Sequence, residues 1–228
     1  MWKVDAIAAK KLPNYPPEEC GFLGETMSTT IKCKGRLLYY FPVQKKVAAK
    51  SEDGWIGWHN DSGFLTALPP DMYLDKDGNE IECPDPGAGL WVVDRSGGNI
   101  KVEVPKDCLA IQCGECLQVI TGGLLTATPH CVRPALADYP VARTSCPFFI
   151  DTQPEFPLFM PTGATRSEVV NAAVDTGKVP PLASRWTEDG QTFVDFLGTT
   201  FQRYYEHAVG GKAAKGNMFC LIFILTVD

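Results

Sequence analysis

Three histidines, His59, His130 and His207, are the whole imidazole supply of the chain, so any chemistry that needs imidazole has few places to occur. His59-Asn60-Asp61 sets an imidazole and a carboxylate two residues apart. On an extended backbone, side chains at i and i+2 leave the same face, so a metal ion is gripped from one edge while Asn60 points away. His130 is the natural third donor, since it follows the turn-rich Thr121-Gly122-Gly123 and the apolar Leu124-Leu125. Two neutral imidazoles and one carboxylate on one face of an octahedron leave three positions open, which is the arrangement non-haem Fe(II) uses for oxygen chemistry. Taken alone, His59-Asn60-Asp61 also reads as an Asx-type turn, with Asp61 capping Ser62-Gly63 and His59 half-buried beside Trp58. His130 alone reads equally well as a core or surface histidine after Pro129. Arg143-Thr144-Ser145 downstream tips the balance: Arg143 and Ser145 share a strand face, and a guanidinium fork beside a hydroxyl suits a carboxylate.

Strands must hold these side chains, and the punctuation by 21 glycines and 18 prolines predicts many short ones. Leu90 to Val93 and Ile100 to Val104, joined through Ser96-Gly97-Gly98-Asn99, read as a hairpin. A second pair, Leu109 to Gln112 and Leu117 to Ile120, places Gly114-Glu115 at the bend. Further strands are expected at Arg36 to Phe41, Trp55 to His59 and Arg143 to Ile150, which together give a sheet sandwich or barrel. Phe193, Phe196, Leu197, Thr200, Phe201, Tyr204 and Tyr205 recur at three- and four-residue steps and predict an amphipathic helix from Gln191 to Ala208. A shorter helix is expected to begin near Ser167, which would cap Val169 to Ala173, and both helices would pack outside the sheets.

The composition, 45% hydrophobic and 21% charged over 228 residues, is that of one ordinary globular domain rather than a disordered chain. A formal charge of −6 gives no electrostatic footprint for a phosphate backbone, so nucleic acid is not an expected partner. Met1 to Cys20 carries Lys3, Asp5, Lys10, Lys11, Glu18 and Glu19 without an apolar stretch, which does not fit a secretion signal. Nine cysteines, an odd number in a chain of this size, favour reduced thiols and a cytoplasmic location. The apolar run Met218 to Val227 is about half the length needed to span a membrane. It follows a linker-like Gly210 to Gly216 and reads either as an added strand or as an appended tail.

Other constellations fall short of chemistry. Cys113-Gly114-Glu115-Cys116 has no second CxxC to complete a zinc site. Asp94-Arg95-Ser96-Gly97-Gly98 lacks the glycine that a serine nucleophile elbow needs two residues before the serine. Cys131 faces away from His130 on a strand, and His207 is a solvated residue at a helix end.

Gly57-Trp58-His59-Asn60-Asp61-Ser62-Gly63-Phe64-Leu65-Thr66, Gly114 to Gly123, His130 and Arg143-Thr144-Ser145 stand in the order and spacing of a known family. The chain resembles the isopenicillin N synthase-like 2-oxoglutarate and Fe(II)-dependent oxygenases, from about Arg36 to Ile150 and more weakly to His207. That resemblance implies a mainly β fold, a double-stranded β-helix (jelly roll) with flanking α-helices. It implies His59, Asp61 and His130 as iron ligands, and Arg143 with Ser145 as the holders of the distal carboxylate of 2-oxoglutarate. The implied activity couples oxidative decarboxylation of 2-oxoglutarate to oxidation of a small organic substrate by molecular oxygen. Residues 1–35 would form a short N-terminal segment, 36–209 the oxygenase domain and 210–228 a linker and apolar tail.

The departures from the family pattern are local. Cys131 to Ala142 is longer than usual, so Arg133 competes with Arg143 for the anion. Phe41 stands where many members carry a phenol that contacts the cosubstrate, leaving Tyr39 or Tyr40 as substitutes or as core residues. Only 35 residues precede Arg36, where members carry a helical region over the active site. Two alternatives stay open: an iron oxidase that does not use 2-oxoglutarate, and a non-catalytic jelly-roll binding module or inactive remnant. A zinc or manganese isomerase or hydrolase with the same three ligands is a third, which the arginine and serine do not support.

Overall fold

The structure is a computed structural model that describes residues 1–43, 55–210 and 220–226. Two antiparallel sheets dominate it. The larger contains β1 (Lys34–Tyr40), β3 (Leu65–Leu68), β4 (Met72–Leu74), β5 (Glu80–Ile81), β8 (Ala110–Cys113), β10 (Ala142–Ser145), β11 (Phe148–Ile150) and β14 (Cys220–Thr226). The smaller runs in the order β2 (Ile56–His59), β9 (His130–Arg133), β6 (Gly89–Val93) and β7 (Asn99–Lys101).

β1 is flanked on one edge by β10 and β11 in succession, and β14 pairs with it from Lys34 to Tyr40 along the other. The apolar run near the C-terminus is therefore an added strand; of the linker expected from Gly210 to Gly216, Gly210 is the last residue of a helix and 211–216 lie outside the described residues. The strand expected from Arg143 to Ile150 is divided at Cys146-Pro147, because proline cannot donate to the ladder.

The hairpin β6–β7 forms as expected, with Val93 opposite Asn99 and Gly97 at φ +86, a left-handed conformation suited to glycine. The second expected hairpin does not form. β8 is present and pairs with β3, but Glu115–Ile120 is a helix, α3, rather than a strand. All six of its residues are buried, Glu115 and Gln118 included, and six residues are too few for a period to mark it as helical in the sequence. Its first N–H groups are claimed by carbonyls across the fold: Glu115 donates to Asp61 at 2.9 Å and Cys116 to Gly63 at 3.1 Å.

Of the remaining helices, α1 (Trp2–Lys11) and α2 (Leu23–Thr29) lie before the sheets, and α4 (Arg166–Val170) and α5 (Phe193–Gly210) after them. The cap of α4 is Thr165 rather than Ser167, because Thr165 and Glu168 close a reciprocal capping box. α5 begins two residues later than expected, since Gln191–Thr192 forms a short strand β13 with β12 (Pro157–Leu158).

Two apolar clusters hold the layers. Tyr40, Tyr73 and Val132 with Leu38, Ile56 and Ile81 join residues from both sheets, so the sheets face one another across them. The second cluster, including Leu23, Phe64, Leu117, Ile120, Trp186 and Phe196, lies under the helices. Ala8 of α1 and Leu23 of α2 are fully buried in it, and the buried Asp5 carboxylate accepts the backbone N–H of Leu23 and Gly24 at the start of α2. The result is a mainly β double-stranded β-helix with helices packed outside the sheets. Among the described residues no helix is long and apolar enough to cross a membrane, and no disulfide links the cysteines.

Candidate metal centre and anion site

β2 ends at His59 and β9 begins at His130, and the two residues are direct cross-strand partners. Their rings lie 4.1 Å apart between centroids. Asp61 follows on the loop after β2, and one ligand atom from each of His59, Asp61 and His130 lies within 4.8 Å of the others. Both imidazoles are oriented from behind. His59 Nδ1 is 2.8 Å from the Gly57 carbonyl and His130 Nδ1 3.1 Å from the Thr128 carbonyl. A carbonyl only accepts, so each Nδ1 carries the proton and each Nε2 keeps its lone pair for an ion. Burial, and secondarily the neighbouring His59, holds the His130 pKa down to about 4, which leaves this ring neutral at pH 7.

Asp61 is held with the same economy. Its Oδ2 accepts the Thr66 hydroxyl and, at 2.8 Å, the Gln112 amide, whose nitrogen also lies 3.2 Å from each ring nitrogen of His130. Thr66 and Gln112 are cross-strand partners on β3 and β8, so one rung of the ladder fixes one oxygen and leaves Oδ1 toward the histidines. Two imidazole nitrogens and one carboxylate oxygen, converging and each braced by an outer partner, form a donor set that fits a divalent transition metal.

The residue between the ligands anchors the loop from the other side. Asn60 donates its amide to Glu115 Oε1 at 2.8 Å, and its backbone N–H to the Tyr204 hydroxyl of α5 at 2.9 Å. Glu115 in turn forms a bidentate pair with Arg185, their side chains 1% and 0% exposed. Gly63 and Gly114 permit the close approach of loop and helix: a Cβ on Gly114 would stand 2.1 Å from the Gly63 carbonyl oxygen. None of Gln112, Glu115, Arg185 or Tyr204 is legible in the sequence as a site residue, because Gln112 and Glu115 lie more than 50 residues from Asp61 and Asn60, and Arg185 lies 70 from Glu115. The one available signal is weak: Tyr204 is one of three hydroxyl-bearing residues, with Thr200 and Tyr205, on the recurring face of the predicted helix.

Arg143 and Ser145 are both buried on β10, with Tyr40 opposite Arg143 and Leu38 opposite Ser145 on β1. The guanidinium lies over the Tyr40 ring, 4.6 Å from its centroid. Tyr40 packs in the intersheet cluster with Val132, which shares a face of β9 with His130, so Arg143 and the histidine belong to the same interior. Arg133, by contrast, sits on the opposite face of β9 and stacks 4.0 Å over Trp91. Tyr39 makes an edge contact with Phe41. The strand pattern gave no sign of one further contact: Arg143 Nη2 donates to the carboxylate of Asp71, on the connection from β3 to β4. A cavity of about 610 Å³ is lined by Val92, the cross-strand partner of His130, and by Thr128, Pro129 and Cys113, which are chain neighbours of site residues; His59, Asp61, His130 and Arg143 do not line it.

The chain is similar to known proteins. The model of the 2OG-Fe(II) oxygenase superfamily matches residues 36–152, just over half of the chain. No curated protein matches. Among solved structures, a Caulobacter crescentus protein described by the 2OG-Fe(II) oxygenase family name is similar with a TM-score of 0.50 and 24% identity, over 90% of this chain and 57% of that one. The rice dioxygenase for auxin oxidation is similar with a TM-score of 0.49 and 19% identity, over 87% and 53%. A full-length Neurospora crassa protein in complex with alpha-KG gives 0.47 and 18%, over 72% and 42%. The chain thus spans about half the length of these structures, and at such identities the likeness is one of fold alone. The family match over β1 to β11, carrying the converged histidines and aspartate, establishes that the chain belongs to the 2OG-Fe(II) oxygenase superfamily.

Proposed function

We propose that the protein is a non-haem Fe(II) oxygenase that couples oxidative decarboxylation of 2-oxoglutarate to oxidation of a small organic substrate by molecular oxygen, and that it lies among the isopenicillin N synthase-like members of the superfamily. The observation that carries this reading is the convergence of His59, Asp61 and His130 within 4.8 Å, each turned by an outer hydrogen bond to present a lone pair. His59 Nε2, His130 Nε2 and Asp61 Oδ1 would hold the iron on one face. When bound, iron supplies the oxygen-activating redox chemistry that no side chain here provides.

The chain's own part is orientation and water exclusion. Thr66 and Gln112 keep Asp61 from rotating, and Tyr40, Tyr73 and Val132 wall the space between the sheets. Arg143 and Ser145 would bind the distal carboxylate of 2-oxoglutarate; the buried Nε and Nη1 of Arg143 have no hydrogen-bond partner among the described residues. The 610 Å³ cavity beside Val92 is of a size for a small organic substrate. We take residues 36–209 as the catalytic domain, since α5 contributes Tyr204 to the ligand loop. A net charge of −6 supports a small-molecule rather than a nucleic-acid partner, and an odd number of dispersed cysteines supports a reducing, cytoplasmic location.

The test is metal analysis of anaerobically purified protein together with conversion of 2-oxoglutarate to succinate. His59→Ala should abolish iron binding and turnover together; full retention of both in that variant removes the ligand assignment. Substrate oxidation that proceeds without added 2-oxoglutarate would favour the iron oxidase.

A further inference from the structure

We propose that Asp71 is a built-in competitor for the anion that Arg143 receives, and so sets how tightly the protein holds its cosubstrate; this rests on the reading of Arg143 as the 2-oxoglutarate carboxylate site. Asp71 follows Pro69-Pro70 and stands two residues before Tyr73, whose Cα pairs with that of Arg143. Asp71 immediately precedes β4, and this position at the strand entrance brings its carboxylate to the guanidinium. One Asp71 oxygen accepts from Nη2, while the buried Nε and Nη1 have no partner among the described residues.

The asymmetry of burial decides the role. The Arg143 side chain is 5% exposed and the Asp71 side chain 23%, so the arginine charge is fixed in the interior and the aspartate is the member within reach of water. Before cosubstrate binds, Asp71 neutralises a guanidinium that would otherwise be buried without a counter-charge. A ligand carboxylate arriving at the two remaining nitrogens, Nε and Nη1, finds N–H donors, but it also places two negative charges on one positive one. It is therefore bound against the repulsion of Asp71 or after turning that side chain toward solvent. Either route weakens the ligand relative to an arginine that has no internal partner.

Binding of 2-oxoglutarate is read by calorimetry on the full chain loaded with Mn(II), a metal that holds the site without turnover. Asp71→Asn keeps the shape and removes the charge, and should tighten 2-oxoglutarate about tenfold. Asp71→Ser, which removes the charge with a smaller side chain, should shift affinity in the same direction, and Asp71→Glu should not tighten it. 2-Oxobutyrate, a keto acid without the distal carboxylate, should bind Asp71→Asn and the parent protein equally. Unchanged or weaker 2-oxoglutarate binding in both Asp71→Asn and Asp71→Ser, with binding lost in Arg143→Gln, overturns the competitor role and keeps the anion site. Undiminished binding in Arg143→Gln overturns the anion site, and the competitor role with it.

Discussion

Glu115 and Arg185 meet through two nitrogens with 1% and 0% of their side chains exposed, whereas Asp71 meets Arg143 through one nitrogen with 23% of the aspartate exposed. The first pair is the more fully satisfied: Glu115 also accepts from Asn60, Arg185 also donates to the Pro180 carbonyl at 2.9 Å, and of the guanidinium nitrogens Nε alone has no partner among the described residues, against Nε and Nη1 in Arg143. Its members have nowhere to go, and it serves as a strut under the loop that carries His59 and Asp61. The second pair leaves arginine donors unused and one partner near water, which suits a charge that must exchange partners. Two arginines of similar burial are thus distinguished by how completely their carboxylates satisfy them.

The sharpest way to break this comparison is Glu115→Gln. It strands the Arg185 charge in the interior, and a cost of about 3–5 kcal/mol is expected in urea unfolding. Because the new amide nitrogen faces the Arg185 donors and the shared brace to Asn60 must rearrange, metal affinity should fall by about tenfold to a hundredfold as well. Saturating the parent protein with Mn(II) at about a hundredfold excess over Kd should add about 2.7 kcal/mol in the same unfolding assay, and chelation should remove it. In Glu115→Gln that increment should be smaller at the same metal concentration, since the loop is no longer braced.

Arg143→Gln should cost less than the strut variant, about 1–2 kcal/mol, because the stranded partner is Asp71 and it can rehydrate. Equal destabilisation by Glu115→Gln and Arg143→Gln would erase the distinction between strut and exchangeable pair. Thr165→Ala sets the floor. It removes one half of the capping box of α4 and should cost about 1 kcal/mol of thermal stability while leaving Mn(II) and 2-oxoglutarate affinity unchanged.

What the sequence makes legible follows physical range. Period-2 alternation and glycine-rich turns locate β1, β2, β6, β7 and β10, and a three- and four-residue step locates α5, because these are local properties of the chain. α3 reads as a strand for the same reason: a six-residue helix buried on every side shows no period, and its hydrogen bonds end on the carbonyls of Asp61 and Gly63. The cap of α4 lies two residues earlier than the pattern suggests, since Ser167 and Thr165 are both competent caps and only the reciprocal bond from Glu168 chooses between them.

The amino-acid sequence by itself determined the chemistry on offer: two imidazoles, a carboxylate two residues from one of them, and an arginine and serine on one strand face, none of which depends on distant contacts. Tertiary structure alone decided that these donors converge, since the pairing of β2 with β9 sets His59 against His130 across 71 residues of chain. It alone also supplied Gln112 behind Asp61, Arg185 beneath Glu115 and Asp71 on Arg143. The reason is that a buried charge or ligand needs partners of defined geometry, and the fold draws them from whichever strand or loop packs nearby, leaving no periodic trace in the local sequence.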